Sequence, residues 1–138
     1  MISSINNVSF GARVRIGKND KDKLAISERI AKLPDDRKNM IIRNLNETAS
    51  VLAENIPDEH SLYITYESNM DLKSKSHGFT IVDMANPNKV ETAILFDGFI
   101  TDDYVKQFFK DLQQDWIRRF DKAPATPKTT IEVFNQLI

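Results

Sequence analysis

Three β-prone runs lie so close together in the chain that one antiparallel sheet is the simplest structure able to use them all. Ser61–Glu67 alternates, with Leu62, Ile64 and Tyr66 on one side, while Gly78–Met84 and Val90–Phe96 are rich in β-branched and aromatic residues. Both patterns are those of strands that bury at least one face. The polar stretch Ser68–Ser76 joins the first two runs, and Ala85-Asn86-Pro87-Asn88 joins the second and third. A parallel crossover takes about a dozen residues or more, and Asn and Pro favour tight turns. The runs therefore form a meander.

Helical patterns flank it. A short helix is expected over Lys21–Leu33, capped by Asn19 or Asp20, with Ile26, Ile30 and Leu33 on one side. Pro34 then fits the first position of a second helix, where its missing N–H costs nothing, and Asp35 and Asp36 favour the positive end of the helix dipole. Along that helix Ile42, Leu45, Ala49, Leu52 and Ile56 recur at helical spacing, flanked by Ile41, Val51 and Ala53, and Asn55-Ile56-Pro57-Asp58 ends it. After the meander, Thr101 caps a long helix with Asp102 and Asp103 in its first turn and Arg118 and Arg119 in its last. Its apolar stripe is Val105, Phe108, Phe109, Leu112, Trp116 and Phe120. Thr129-Thr130-Ile131-Glu132 reads as a capping box opening a final helix to Ile138. Ahead of everything, Val8–Ile16 alternates as a strand does.

The expected fold is thus α+β: an antiparallel three- or four-stranded meander with helices packed on one face, in the order (β)-α-α-β-β-β-α-α. Residues 1–18 form an N-terminal segment, either an edge strand or a tail, and residues 19–138 a single domain. The core should hold Ile42, Leu45, Leu52, Ile64, Phe79, Ile81, Ile94, Phe96, Phe108, Leu112 and Trp116. One consequence follows for the edge strand 90–96, which only Lys89 and Glu91 guard. An apolar edge is normally covered or charged, so Val8–Ile16 is expected to pair with it and to place Arg13 and Arg15 on the outer face. Otherwise that edge is free for a second copy or a partner.

Composition excludes more than it specifies. The 138 residues include no Cys, so a disulfide framework, a thiolate nucleophile and an iron–sulfur cluster are all ruled out. Nineteen basic and twenty acidic residues leave a net charge of −1, so no global field draws in a polyanion. The start has neither a basic region nor an apolar run of signal-peptide length, and no stretch approaches the span of a bilayer. The expectation is a cytoplasmic protein without membrane contact, in which the triplets Asn7-Val8-Ser9 and Asn46-Glu47-Thr48 stay unmodified.

Residues able to do chemistry are few. His60 sits in a polar turn beside Asp58 and Glu59, and no metal-ligand spacing surrounds it or His77, so no metal and no cofactor are expected. His77 precedes a strand near Lys73 and Lys75 and could grip an anion. Asp83, Glu91 and Asp97 flank the second hairpin, which leaves room for a small enzyme with a site near His77 and Asp83 or Asp97. There is no nucleophile elbow and no Gly-rich phosphate loop.

Five basic residues, Arg13, Arg15, Lys18, Lys21 and Lys23, outnumber Asp20 and Asp22 in one short stretch. With Lys73, Lys75 and His77 they make an RNA-binding alternative. The order helix, three strands, helix from Asp35 to Asp121 resembles that of the double-stranded-RNA-binding domain in topology alone. A lysine-rich run opens that family's second helix, whereas Thr101-Asp102-Asp103 stands here and repels phosphate. The reading that best fits these absences is a non-catalytic module that binds a protein partner or itself, with Arg13, Arg15, Lys73, Lys75 and His77 as its candidate binding residues.

Overall fold

A computed structural model describes residues 11–69, 73 and 75–121. Strand β1 (Arg13–Ile16) leads into helices α1 (Asp20–Ala31) and α2 (Asp35–Asn55). Strands β2 (Ser61–Asn69), β3 (Ser76–Asp83) and β4 (Asn86–Phe96) follow, then a 3-10 turn (Asp97–Phe99) and helix α3 (Asp102–Asp121). The fold is α+β, with the helices on one side of a four-stranded sheet ordered β1-β2-β3-β4. The expected final helix 129–138 and the start of the expected strand Val8–Ile16 lie outside the described residues.

The helix starts follow local chemistry. The Asn19 side chain accepts the Asp22 N–H at 2.9 Å and caps α1, and the Thr101 hydroxyl accepts the Tyr104 N–H at 3.2 Å in the first turn of α3. Pro34 takes the capping position of α2, one residue before its expected place, and its carbonyl accepts the Lys38 N–H at 2.8 Å.

Two expectations about the sheet are corrected. It is mixed: β1 runs parallel to β2, pairing Val14 with Leu62 and Ile16 with Ile64, while β2–β3 and β3–β4 are antiparallel. The two helices between β1 and β2 supply the long crossover that a parallel pair needs. The N-terminal strand therefore does not cover strand 90–96. It lies at the opposite edge of the sheet. The second hairpin is also tighter than expected: Met84 and Ala85 form the turn, and β4 begins at Asn86. Pro87 is tolerated there because β4 is an edge strand.

The core lies between the sheet and the helices. Leu45, Leu52, Ile64, Phe79, Ile81, Leu112 and Trp116 are buried in it as expected, and Phe108 packs against it. Ile42, Ile94 and Phe96 are not in it; their exposures are 42%, 41% and 44%. On α2 the buried face is Met40, Ile41, Asn44, Leu45, Thr48 and Leu52, which includes two polar residues and so turns Ile42 outward. On β4, strand alternation sends Leu95 inward and Ile94 and Phe96 to the outer face.

Candidate functional site

The least ordinary feature is a line of polar side chains running out of the core. Tyr66 ends the buried face of β2, and His77 lies diagonally from it on β3, opposite Ser68; both are completely buried. The Tyr66 hydroxyl is 2.6 Å from His77 Nδ1, and His77 Nε2 is 2.8 Å from Asp97 Oδ1. The same carboxylate oxygen accepts from Arg37 Nε of α2 at 2.8 Å, and Arg37 also holds Asp36 at 3.0 Å. Four elements are tied together: β2, β3, the turn after β4, and α2.

Ionisation and tautomer follow from this geometry. Burial raises the Tyr66 phenol well above its ordinary value; Asp97 adds to the effect, while the Ser68 hydroxyl and Arg29 oppose it. Tyr66 thus keeps its proton and donates it to Nδ1, which leaves hydrogen on Nε2 to be donated to Asp97. Burial alone would raise the Asp97 carboxyl. Hydrogen bonds from His77 and Arg37, together with the Arg37 charge, outweigh it and hold the group below its ordinary value, as a carboxylate. A phenol, an imidazole and a carboxylate in line resemble a catalytic relay, but both histidine nitrogens are engaged and Tyr66 is sealed in the core. The arrangement clasps the turn after β4 onto α2.

The other sequence-derived candidates are scattered. Arg13 and Arg15 lie exposed on the outer side of β1, with Arg15 3.4 Å from Asp20. Lys73 and Lys75 are exposed on the β2–β3 connection, whereas His77 beside them faces the core. Asp97 meets His77, but Asp83 is buried at the far end of β3, roughly 20 Å along the strand, where its carboxylate accepts the Ala85 N–H at 3.0 Å. Glu91 faces the helices and binds Arg119 of α3 at 2.6 Å, and the same guanidinium lies over the Trp116 ring, 4.6 Å from its centroid. His60 is half-buried against Phe120, ring centroids 4.3 Å apart. No group of three or more potential metal ligands occurs among the described residues.

Tyr66 and Arg37 belong to the polar line and were not legible as site residues. Tyr66 carries the period of a core position, and Arg37 lies 60 residues before Asp97. A second unforeseen feature is an open groove of about 800 Å³ between α2 and α3, floored by Met40, Asn44, Phe109 and Gln113. Gln113 donates to the Thr48 hydroxyl at 2.9 Å and so joins α3 to α2, while Asn44 donates to the Met40 carbonyl at 2.8 Å within α2.

The outer sheet face is the remaining feature. The Asp97 N–H donates to the Lys75 carbonyl at 2.9 Å, one step beyond the Ser76–Phe96 pair that ends the β3–β4 register. In an antiparallel ladder hydrogen-bonded pairs alternate, so Glu91, Ala93 and Leu95 bond to β3. The N–H and C=O groups of Val90, Thr92, Ile94 and Phe96 point away from β3, to the edge. Those same residues carry the outward side chains of β4, and Val90, Ile94 and Phe96 are each more than 40% exposed.

No family model, no curated protein and no solved structure matches the chain. Functional reading therefore rests on the geometry. No helix among the described residues is long and apolar enough to cross a membrane.

Proposed function

We propose that this chain is a non-catalytic protein-interaction module whose β4 edge takes up an extended segment of a protein partner as an added strand. The observation that carries the reading is the coincidence, at Val90, Thr92, Ile94 and Phe96, of outward-facing backbone groups with exposed apolar side chains. Backbone groups on an open edge give an incoming strand its affinity, and alternate side chains give it selectivity. Among the described residues the helices lie on the other side and β1 is paired at the opposite edge, so neither competes for this one. The polar line from Tyr66 to Arg37 fits the same reading, because it fixes the turn at which β4 ends.

Residue-resolved amide exchange in the presence of a panel of synthetic, β-branched extended peptides tests this. A binding peptide slows exchange at Thr92, Ile94 and Phe96. Thr92→Pro, which removes an edge-facing N–H and leaves the β3 ladder intact, keeps the fold and abolishes uptake. Peptides that bind without slowing those amides, or that still bind to Thr92→Pro, refute strand addition. Salt-dependent RNA binding lost on changing Arg13 and Arg15 to Ala supports the nucleic-acid reading in its place.

A further inference from the structure

We propose that the strand taken up at this edge is β4 of a second copy of the same chain, antiparallel across a two-fold axis at Thr92; this deepens, and rests on, the strand-addition reading. A two-fold sets like against like, so a charge on the strip would be repeated across the axis. Val90, Thr92, Ile94 and Phe96 carry none. The one acidic side chain among them, Glu91, faces the helices and is bound to Arg119. The strip is neutral toward itself.

The outer face supplies the register. Thr65 opposes Thr80, and Thr80 opposes Thr92, so a row of threonines crosses the sheet and ends at the open edge. The last pair is joined by a hydroxyl–hydroxyl hydrogen bond of 3.0 Å. An axis at Thr92 continues this row into the second copy, Thr92 against Thr92, and sets Val90 against Ile94 on either side of it. Residues directly opposite on one face interact most strongly, and Thr–Thr and β-branched pairs are among the favourable ones. The backbone agrees with the side chains. Val90, Thr92 and Ile94 all turn their N–H and C=O groups outward, and under this symmetry each meets a residue that does the same. The axis stands perpendicular to the sheet, so the helices of both copies remain on one face of a continuous sheet of twice the width.

The chain has no native cysteine, so Thr92→Cys introduces a single thiol. Mild oxidation is expected to link Thr92→Cys into a covalent dimer, since opposed residues across such a pair lie within disulfide reach. Ser50→Cys, on the exposed side of α2, should stay unlinked. Sedimentation of the unmodified protein should show a dimer, and Ile94→Lys should weaken it by roughly tenfold or more, because a lysine guards an edge, while melting curves taken at concentrations where both proteins are monomeric stay unchanged. A monomer at every concentration, or linkage through Ser50→Cys in preference to Thr92→Cys, overturns the second-copy assignment. A monomer that still takes up peptide at β4 overturns this assignment alone, whereas a monomer that takes up none removes strand addition with it.

Discussion

Removing the Asp97 carboxylate by Asp97→Ala tests whether the polar line holds the end of β4 in place. The change strips one partner from each of two neighbours that differ in exposure. The His77 side chain is completely buried, so its Nε2–H is left without a partner where water does not reach. An unsatisfied buried donor costs roughly 1–3 kcal/mol. Arg37 is 25% exposed and keeps Asp36 at 3.0 Å, so the loss of its second partner resembles that of a surface ion pair, about 0–1 kcal/mol. Together the substitution should cost about 1–4 kcal/mol. The single tryptophan, Trp116, is buried and reports unfolding in a urea titration without any added label. A double-mutant cycle isolates the histidine contribution: on a His77→Phe background, Asp97→Ala should cost no more than the arginine share. A loss below about 0.5 kcal/mol in the parent, or the same loss on both backgrounds, would show that Asp97 does not restrain His77.

Trp116 is buried, and its indole N–H has no hydrogen-bond partner among the described residues. Trp116→Ala should cost roughly 3–5 kcal/mol through the cavity it leaves. Trp116→Phe should cost far less, because the lost volume is offset by removing an unpaired donor worth about 1–3 kcal/mol; circular dichroism during urea unfolding separates the two, and equal damage would mean that the donor is paired. Stability should also fall at both ends of the pH scale. Asp97 is depressed in the folded state, so its contribution is present above about pH 4, the unfolded carboxyl value, and is lost as pH falls through the lower folded value. Tyr66 is raised in the folded state, so its contribution is present below about pH 10 and is lost as pH rises beyond it. Asp97→Asn should flatten the acid limb and Tyr66→Phe the alkaline one, and melts in which neither limb changes would contradict both assignments.

Period and spacing revealed the layers of the fold because each rests on local chemistry. The α3 stripe, the Asn19 and Thr101 caps and the inward Leu62, Ile64 and Tyr66 are all where their spacing puts them. What was hidden required knowledge of neighbours. Ile42 sits on a convincing apolar stripe, yet Asn44 and Thr48 take the buried positions because Gln113 of α3 meets Thr48. Ile94 and Phe96 are as apolar as Leu95, and only the position of β4 at the edge decides which face is covered. His77 looked like a member of a basic cluster with Lys73 and Lys75, but the strand parity that buries Phe79 and Ile81 buries it as well. Parity gives the inward direction; it does not show that Tyr66, Asp97 and Arg37 wait there. The β1–β2 pairing was equally invisible, since a four-residue strand carries too little pattern to choose between two open edges.

Amide exchange along β4, followed residue by residue under conditions where sedimentation shows a monomer, bears most directly on the open edge. The Glu91, Ala93 and Leu95 N–H groups bond to β3 and should exchange slowly. Those of Thr92, Ile94 and Phe96 point away from the sheet and should exchange as fast as exposed loop amides, then slow as the protein is concentrated or a strand-forming peptide is added. Protection of Thr92, Ile94 and Phe96 equal to that of their neighbours in the isolated monomer would mean that the edge is already covered, and no strand could be added there.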